Sequence, residues 1–255
     1  MRLVRFIANG CCGYGVYGED GVQPLSWEPF DYLVSTIELI ELESARLLAP
    51  MVPSKIVAVG LNYRDHAEEF SLEIPDEPIL FLKAPNTVLD PGGEVIYPRQ
   101  SSRVDYEAEL AVAIGAQARA VREEEAAGYI LGYTCGLDMT ARDLQLKDGQ
   151  WTRAKNFDTF CPLGPWVETD VDPSDLEITL RLNGEERQSS RTSQLIFGVP
   201  HLVSFISRIM TLTPGDVIMT GTPSGVGEVK PGDSIEMSIE GIGSLGCTIG
   251  GAGTA

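Results

Sequence analysis

Glu107 and Glu109, in Asp105-Tyr106-Glu107-Ala108-Glu109, immediately precede the apolar run Leu110 to Ile114. In an extended chain, residues two apart project to the same face. Two carboxylates so placed repel each other unless a cation lies between them. Asp138 follows a second apolar run, Ile130 to Leu137, and can supply a third carboxylate. Three carboxylates with no nearby His or Cys suit a hard ion, Mg²⁺ or Mn²⁺, with positions left open for water and substrate. The same pattern also describes an exposed edge strand with solvated acids, and spacing alone does not separate the two.

The segment Asn62 to Glu69 places His66 and Glu69 three residues apart, on one side of a helical turn. A carboxylate beside an imidazole fixes its tautomer and raises its basicity, as a general base for water requires. His66 alone is open to being base, ligand or bystander. The second histidine, His201, falls opposite the apolar stripe of its own helix and reads as surface. Arg142 and Lys155 add isolated positive charge, and Lys155, one of five lysines, sits among Trp151, Ala154 and Phe157. These cations could neutralise a substrate carboxylate or close structural ion pairs. Gly13 to Gly18 matches G-x-G-x-x-G, but no amphipathic helix follows it. Gly221 to Gly227 lacks the Gly-Lys-Ser/Thr of a phosphate loop, yet its backbone N–H groups could face a carboxylate.

Elements must position these groups, and most of the pattern is β. Residues 1–50 read as a small β-rich unit punctuated by glycines, and Ala49 to Pro53 as a hinge bracketed by prolines. Strands are expected at Lys55 to Val59, Pro78 to Lys83, Leu110 to Ile114 and Leu176 to Leu182. The last precedes the turn pair Asn183-Gly184. Turns at Pro214-Gly215-Asp216 and Pro231-Gly232-Asp233 introduce strands at Val217 to Thr220 and Ser234 to Ile239. Helix is scarcer: Val199, Leu202, Val203, Ile206, Ile209 and Met210 make one apolar stripe, and Glu123 to Tyr129 starts another helix with acids in its first turn.

Composition narrows the function classes. Acidic residues number 37 against 19 basic, for a net charge of −18, which argues against nucleic acid or an anionic membrane as partner. An anionic substrate would need local positive charge from a metal or a few placed cations. No apolar run approaches the roughly 20 residues of a membrane span, and the N-terminus lacks the long apolar core of a signal peptide. The five cysteines show neither zinc nor disulfide spacing and read as reduced thiols in a cytoplasm, with Cys135 as packing.

Taken in order, six stretches resemble the fumarylacetoacetate hydrolase family: KIVAVGLNYRDHAEE (Lys55 to Glu69), PILFLKAP (Pro78 to Pro85), DYEAELA (Asp105 to Ala111), GYTCGLDMTARD (Gly132 to Asp143), WTRAKNFDTFCPLGP (Trp151 to Pro165) and GDVIMTGTPSGVG (Gly215 to Gly227). The resemblance implies a mixed β-sandwich or β-roll core over residues 55–255, mostly β with a few helices (α+β), behind a small N-terminal β-rich domain at 1–50. It implies Mg²⁺ or Mn²⁺ on Glu107, Glu109 and Asp138, and a His66–Glu69 pair on a lid. Lys155 and Arg142 would contact substrate, with Lys155 also catalytic, while Gln145 and Thr222 would hold a carboxylate or carbonyl. The implied activity is cleavage of a C–C bond, by hydrolysis or decarboxylation, in a small 2-oxo acid such as an acylpyruvate or oxaloacetate. Isomerisation of a 2-hydroxy-diene-dioate in aromatic catabolism is the alternative, and a catalytically inactive metal-binding protein on the same fold is a third reading. The resemblance also implies a homodimer.

Overall fold

Short alternating runs of β-branched and aromatic residues, cut by glycine and proline, build a mostly β protein with a few short helices. The computed structural model describes residues 1–8, 10–25, 39–41 and 45–252. Residues 26–38 of the expected N-terminal unit, and 253–255 of the expected C-terminal one, lie outside the described residues. The chain begins with β1 (Arg2–Ala8), β2 (Cys11–Gly18), β3 (Gly21–Pro24) and β4 (Arg46–Leu48). β5 (Ile56–Gly60) leads into helix α1 (Arg64–Glu69), followed by β6 (Ile79–Lys83), β7 (Val88–Leu89), β8 (Glu94–Tyr97) and β9 (Val104–Tyr106). β10 (Ala108–Ile114) and β11 (Ile130–Leu137) come next, and β12 (Thr140–Ala141) runs into α2 (Arg142–Asp148) and α3 (Thr152–Lys155). The rest is β13 (Cys161–Glu168), β14 (Glu177–Leu182), β15 (Glu185–Arg191), α4 (Val199–Ile209), β16 (Val217–Met219), β17 (Gly227–Val229), β18 (Ser234–Ile239) and β19 (Gly243–Ala252).

The main sheet is ordered β3-β2-β1-β13-β11-β10-β16-β5-β6, with β4 on β1 and β7 on β13, so the N-terminal strands continue it. A second sheet, β15-β14-β18-β19-β8, and a small one, β12-β9-β17, complete the fold. Strand β10 is buried on both faces. Leu110, Val112 and Ile114 enter a core shared with Ile178, Leu180, Met237 and Leu245 of the second sheet. Ala111 and Ala113 face a second cluster with Ile56, Ala58 and Met219. Each fully buried large aliphatic side chain contributes about 1.5–3 kcal/mol. The hairpin β14–β15 turns at Asn183 (φ 54°) and Gly184 (φ 83°), the two left-handed residues that a tight twisted hairpin requires.

Residues 123–129 form a 3₁₀ rather than an α-helix, and of the expected apolar stripe Ile209, the last residue of α4, is exposed, while Met210 just beyond the helix packs against the core. Gly13 to Gly18 lie in β2, not in a nucleotide loop. Residues 49–53 are irregular, as two prolines dictate, yet Ala49 and Met51 are buried in the second cluster. All five cysteines are free, and Cys135, Cys161 and Cys247 are buried. No described helix is long and apolar enough to cross a membrane.

Buried Asp216 ties the start of β5 to the start of β16. It accepts hydrogen bonds from Ser54 Oγ (2.6 Å), Thr213 N (2.7 Å), Thr213 Oγ1 (2.9 Å) and Lys55 N (3.2 Å), and pairs with Lys55 Nζ. Burial alone would raise its carboxyl, but the bonds from Lys55, Ser54 and Thr213 outweigh burial and hold it below the ordinary value. Asp216→Ala should lower stability by about 1–3 kcal/mol, because buried donors lose their acceptor, read as a lower urea midpoint at unchanged slope. A depressed carboxyl stabilises the fold above its unfolded value of about 3.9, and that contribution is lost as pH falls through the folded value. The gap between wild type and variant should therefore be full at neutral pH and shrink in acid.

Candidate metal centre and catalytic cavity

The register of the central strands assembles the site. Ala108 of β10 pairs with Leu137 of β11, so Glu107, in the one-residue break between β9 and β10, lies beside Asp138. Asp138 N donates to the Glu107 carbonyl at 2.9 Å. Glu109 shares a face of β10 with Ala111 and Ala113. Glu107, Glu109 and Asp138 are all buried, and each offers a carboxylate oxygen within 4.8 Å of the others. They are not the solvated acids of an edge strand.

Cations neutralise two of the three. Lys155 Nζ, at the end of α3, donates to Glu107 Oε2 (2.8 Å) and Asp138 Oδ2 (2.6 Å). Arg142, at the start of α2, bonds to the other oxygen of Glu107 and to Asp105 Oδ2 (2.9 Å). Burial opposes charge on Glu107, yet Lys155 and Arg142 outweigh it and hold its carboxyl below the ordinary range. Burial likewise opposes charge on Lys155, and Asp138 and Glu107 outweigh that and raise its ammonium.

Glu109 is different. Among the described residues, the hydrogen bond it is given comes from Gly221 N, at 2.7 Å. Gly221 sits at φ +99°, and a Cβ there would meet Asn62 Cβ at 2.9 Å, so only glycine brings this N–H so close. Burial, then the charges of Asp138 and Glu107, push the Glu109 carboxyl well above its ordinary value. A surplus buried carboxylate in an all-oxygen donor set is what a hard divalent ion would complete. The residues present therefore fit Mg²⁺ or Mn²⁺.

A cavity of about 160 Å³ opens on this cluster. Its walls include the three carboxylates, His66, Arg142, Gln145, Lys155 and Thr222, which brings together every expected site residue except Glu69. Gln145 Oε1 accepts from Arg142 Nη1 (2.6 Å), and Thr222 Oγ1 accepts from Gln188 Nε2 (2.9 Å). Glu69 stands behind His66, with Oε2 3.6 Å from Nδ1, and accepts from Gly225 N at 3.1 Å. That separation exceeds a hydrogen bond, and His66 Nδ1 is buried with no bonded partner among the described residues. Burial lowers the pKa of His66, with Arg142 acting in the same direction, against the pull of Glu107 and Glu69. The imidazole is accordingly neutral at pH 7. His201, expected at the surface, is half-buried, stacked between Phe197 and Phe205, and pairs with Glu123 at 3.1 Å.

Three residues of the site are not singled out by spacing. Lys83, the last residue of β6, is buried and donates to Asp138 Oδ1 and to the Lys155 carbonyl, both at 2.7 Å. Asp105 is buried between Arg103 and Arg142. Gln188 receives Ala108 N at 3.0 Å and holds the loop around Thr222 and Pro223. A lysine closing an apolar strand, in a chain with five lysines, was the signal available for Lys83.

The comparisons with known proteins agree with this architecture. The model of the fumarylacetoacetate (FAA) hydrolase C-terminal family matches residues 55–250, and an Rv2993c-like N-terminal model matches 1–50. The chain belongs to the fumarylacetoacetate hydrolase family. An uncharacterised protein of Archaeoglobus fulgidus is 54% identical over 95% of this chain and 94% of its own. Oxaloacetate tautomerase Fahd2a, mitochondrial, of Rattus norvegicus is 40% identical over 84% of this chain and 72% of its own. The crystal structure of 2-hydroxyhepta-2,4-diene-1,7-dioate isomerase from Mycobacterium marinum superposes with a TM-score of 0.93 at 42% identity, covering 100% of each chain.

Lys83→Met removes the ammonium on Asp138 Oδ1 and should destabilise the metal-free protein by about 3–5 kcal/mol, the cost of breaking a buried ion pair. Because a bound dication would replace the missing charge, the rise in Tm on adding Mg²⁺ should be larger in the variant than in wild type. Differential scanning calorimetry with and without Mg²⁺ measures both.

Proposed function

We propose that the protein is a divalent-metal-dependent enzyme that cleaves a C–C bond in a small 2-oxo acid of the acylpyruvate type. The observation carrying this reading is the buried carboxylate triad, with Glu109 uncompensated, facing a cavity that also holds two cations, Arg142 and Lys155, and a neutral histidine. Glu107, Glu109 and Asp138 would hold Mg²⁺ or Mn²⁺, which supplies Lewis-acid stabilisation of the negative charge that builds up when the bond next to the 2-oxo group breaks.

The chain's own residues do the rest. Arg142, oriented by Gln145, and Lys155 attract and align the substrate carboxylate, while the Thr222 hydroxyl can donate to a carbonyl. With Nδ1–H directed at Glu69, His66 keeps its lone pair on Nε2, which takes a proton from water. The oxygen of that water adds to the distal carbonyl, and the C–C bond breaks. The pyruvate fragment then takes its proton from His66 Nε2, leaving one carboxylic acid and pyruvate. Loss of CO₂ from oxaloacetate needs the same cluster but no activated water.

A second reading is proton transfer without bond cleavage, by the same Nε2. It is favoured by relatives named as an oxaloacetate tautomerase and a 2-hydroxyhepta-2,4-diene-1,7-dioate isomerase.

Product analysis after incubation with Mg²⁺ and an acylpyruvate, oxaloacetate and a hydroxy-dienedioate distinguishes the reactions. Glu107→Gln should abolish all of them along with Mg²⁺ binding by calorimetry. His66→Ala should slow acylpyruvate hydrolysis by roughly 10²–10⁴-fold and spare more of the decarboxylation. Activity that survives thorough chelation would overturn the metal-dependent reading. A wild-type hydrolytic rate in His66→Ala would remove the general-base assignment.

A further inference from the structure

A second cavity, of about 450 Å³, lies outside the carboxylate cavity and shares His66, Leu72, Arg142 and Gln145 with it. Its remaining walls are the apolar Phe70, Leu146 and Val226 and the ion pair Arg103–Asp105. The helices explain this division. Phe70 caps the C-terminus of α1 four residues after His66, and on α2 Arg142 and Leu146 are four apart, so each helix brings a polar group and then an apolar one to the same cavity. The Phe70 ring packs edge-on against His66, with centroids 5.0 Å apart. Phe70 and Leu72 are about half exposed, and Leu146 is 79% exposed, a large apolar surface in reach of the reacting centre. The charged groups in this outer cavity are engaged by one another and by the inner site: Arg103 Nε (2.8 Å) and Nη2 (3.2 Å) both donate to Asp105, and Arg142 pairs with Asp105 and Glu107.

We propose that this outer cavity is a subsite for the hydrocarbon tail of the substrate, selecting 2-oxo acids with an uncharged apolar substituent over short or doubly charged ones. The proposal rests on the 2-oxo acid reading of the inner cavity. Because the two cavities share His66, Leu72, Arg142 and Gln145, a substrate anchored by its carboxylate at Arg142 and Lys155 can extend past His66 toward Phe70 and Leu146. A tail there covers Leu146 and Phe70 and removes their apolar surface from water. A second carboxylate would have to compete with Asp105, which already holds Arg103 Nε and Nη2.

The test uses unreactive ligands, so it does not depend on which bond is broken. Calorimetry on the whole chain at saturating Mg²⁺ compares pyruvate, 2-oxobutanoate, 2-oxohexanoate, 2-oxooctanoate and the dicarboxylate 2-oxoadipate. Affinity should rise about fourfold for each added methylene that reaches the subsite, and 2-oxohexanoate should bind more tightly than 2-oxoadipate. Leu146→Asp, on an exposed position that the fold tolerates, should weaken 2-oxooctanoate by about tenfold or more and leave pyruvate unchanged. Val226→Asp should act in the same direction. Affinity independent of tail length, or tighter binding of 2-oxoadipate, would overturn the subsite while leaving the 2-oxo acid reading intact. Failure of every ligand to bind would overturn that reading and the subsite with it.

Discussion

The Lys155 ammonium, shared between Glu107 Oε2 and Asp138 Oδ2, is the interaction on which the centre depends. Taking three carboxylates out of water is costly unless cations and hydrogen bonds compensate each oxygen. Lys155 does so for two residues at once, and Lys83 and Arg142 serve the oxygens it leaves. The ends of β6, β10, β11, α2 and α3 must therefore converge on one point. The cluster is a constraint on the fold as much as a site within it. What the cations leave uncompensated is Glu109, with its backbone donor at Gly221, and this imbalance gives the centre its demand for positive charge.

The main-sheet register sets the geometry of the triad. A one-residue slip between β10 and β11 would turn Glu109 away and separate Glu107 from Asp138. Such a slip would also reverse the burial of Leu110 to Ile114 on both faces, so hydrophobic packing and ligand placement specify the same pairing. The site inherits its precision from the core.

Much of this was legible in the sequence because it is encoded locally. Alternation in Leu176 to Leu182 and Ser234 to Ile239 marks β14 and β18 almost to their bounds, and Asn183-Gly184 names its own turn. The E-x-E spacing and His66–Glu69 are visible for the same reason. Residues that act through distant partners were not. Lys83 looks like the end of an apolar strand until β6 is placed beside α3, and Asp105 and Gln188 gain their roles only from Arg142 and the loop around Thr222. The outer cavity draws on α1, α2 and the loop after β16, and no single segment announces it. The 3₁₀ form of residues 123–129 shows the limit of reading a helix from acids in a first turn.

Helix α1 has six residues, of which Ala67 is buried. A helix of that length has almost no stability of its own, so it is held by its contacts with the rest of the fold, among them Asp65 with Ser190 and Glu69 with Gly225 N. The carboxylates, by contrast, are anchored to strands that pair over seven residues. The free energy for local opening of α1 is therefore small beside that of the sheet. Its amides are expected to exchange with solvent by local fluctuation, and those of β10 and β11 chiefly through larger openings. The cavity can thus admit and release small molecules without disturbing the charge balance beneath it.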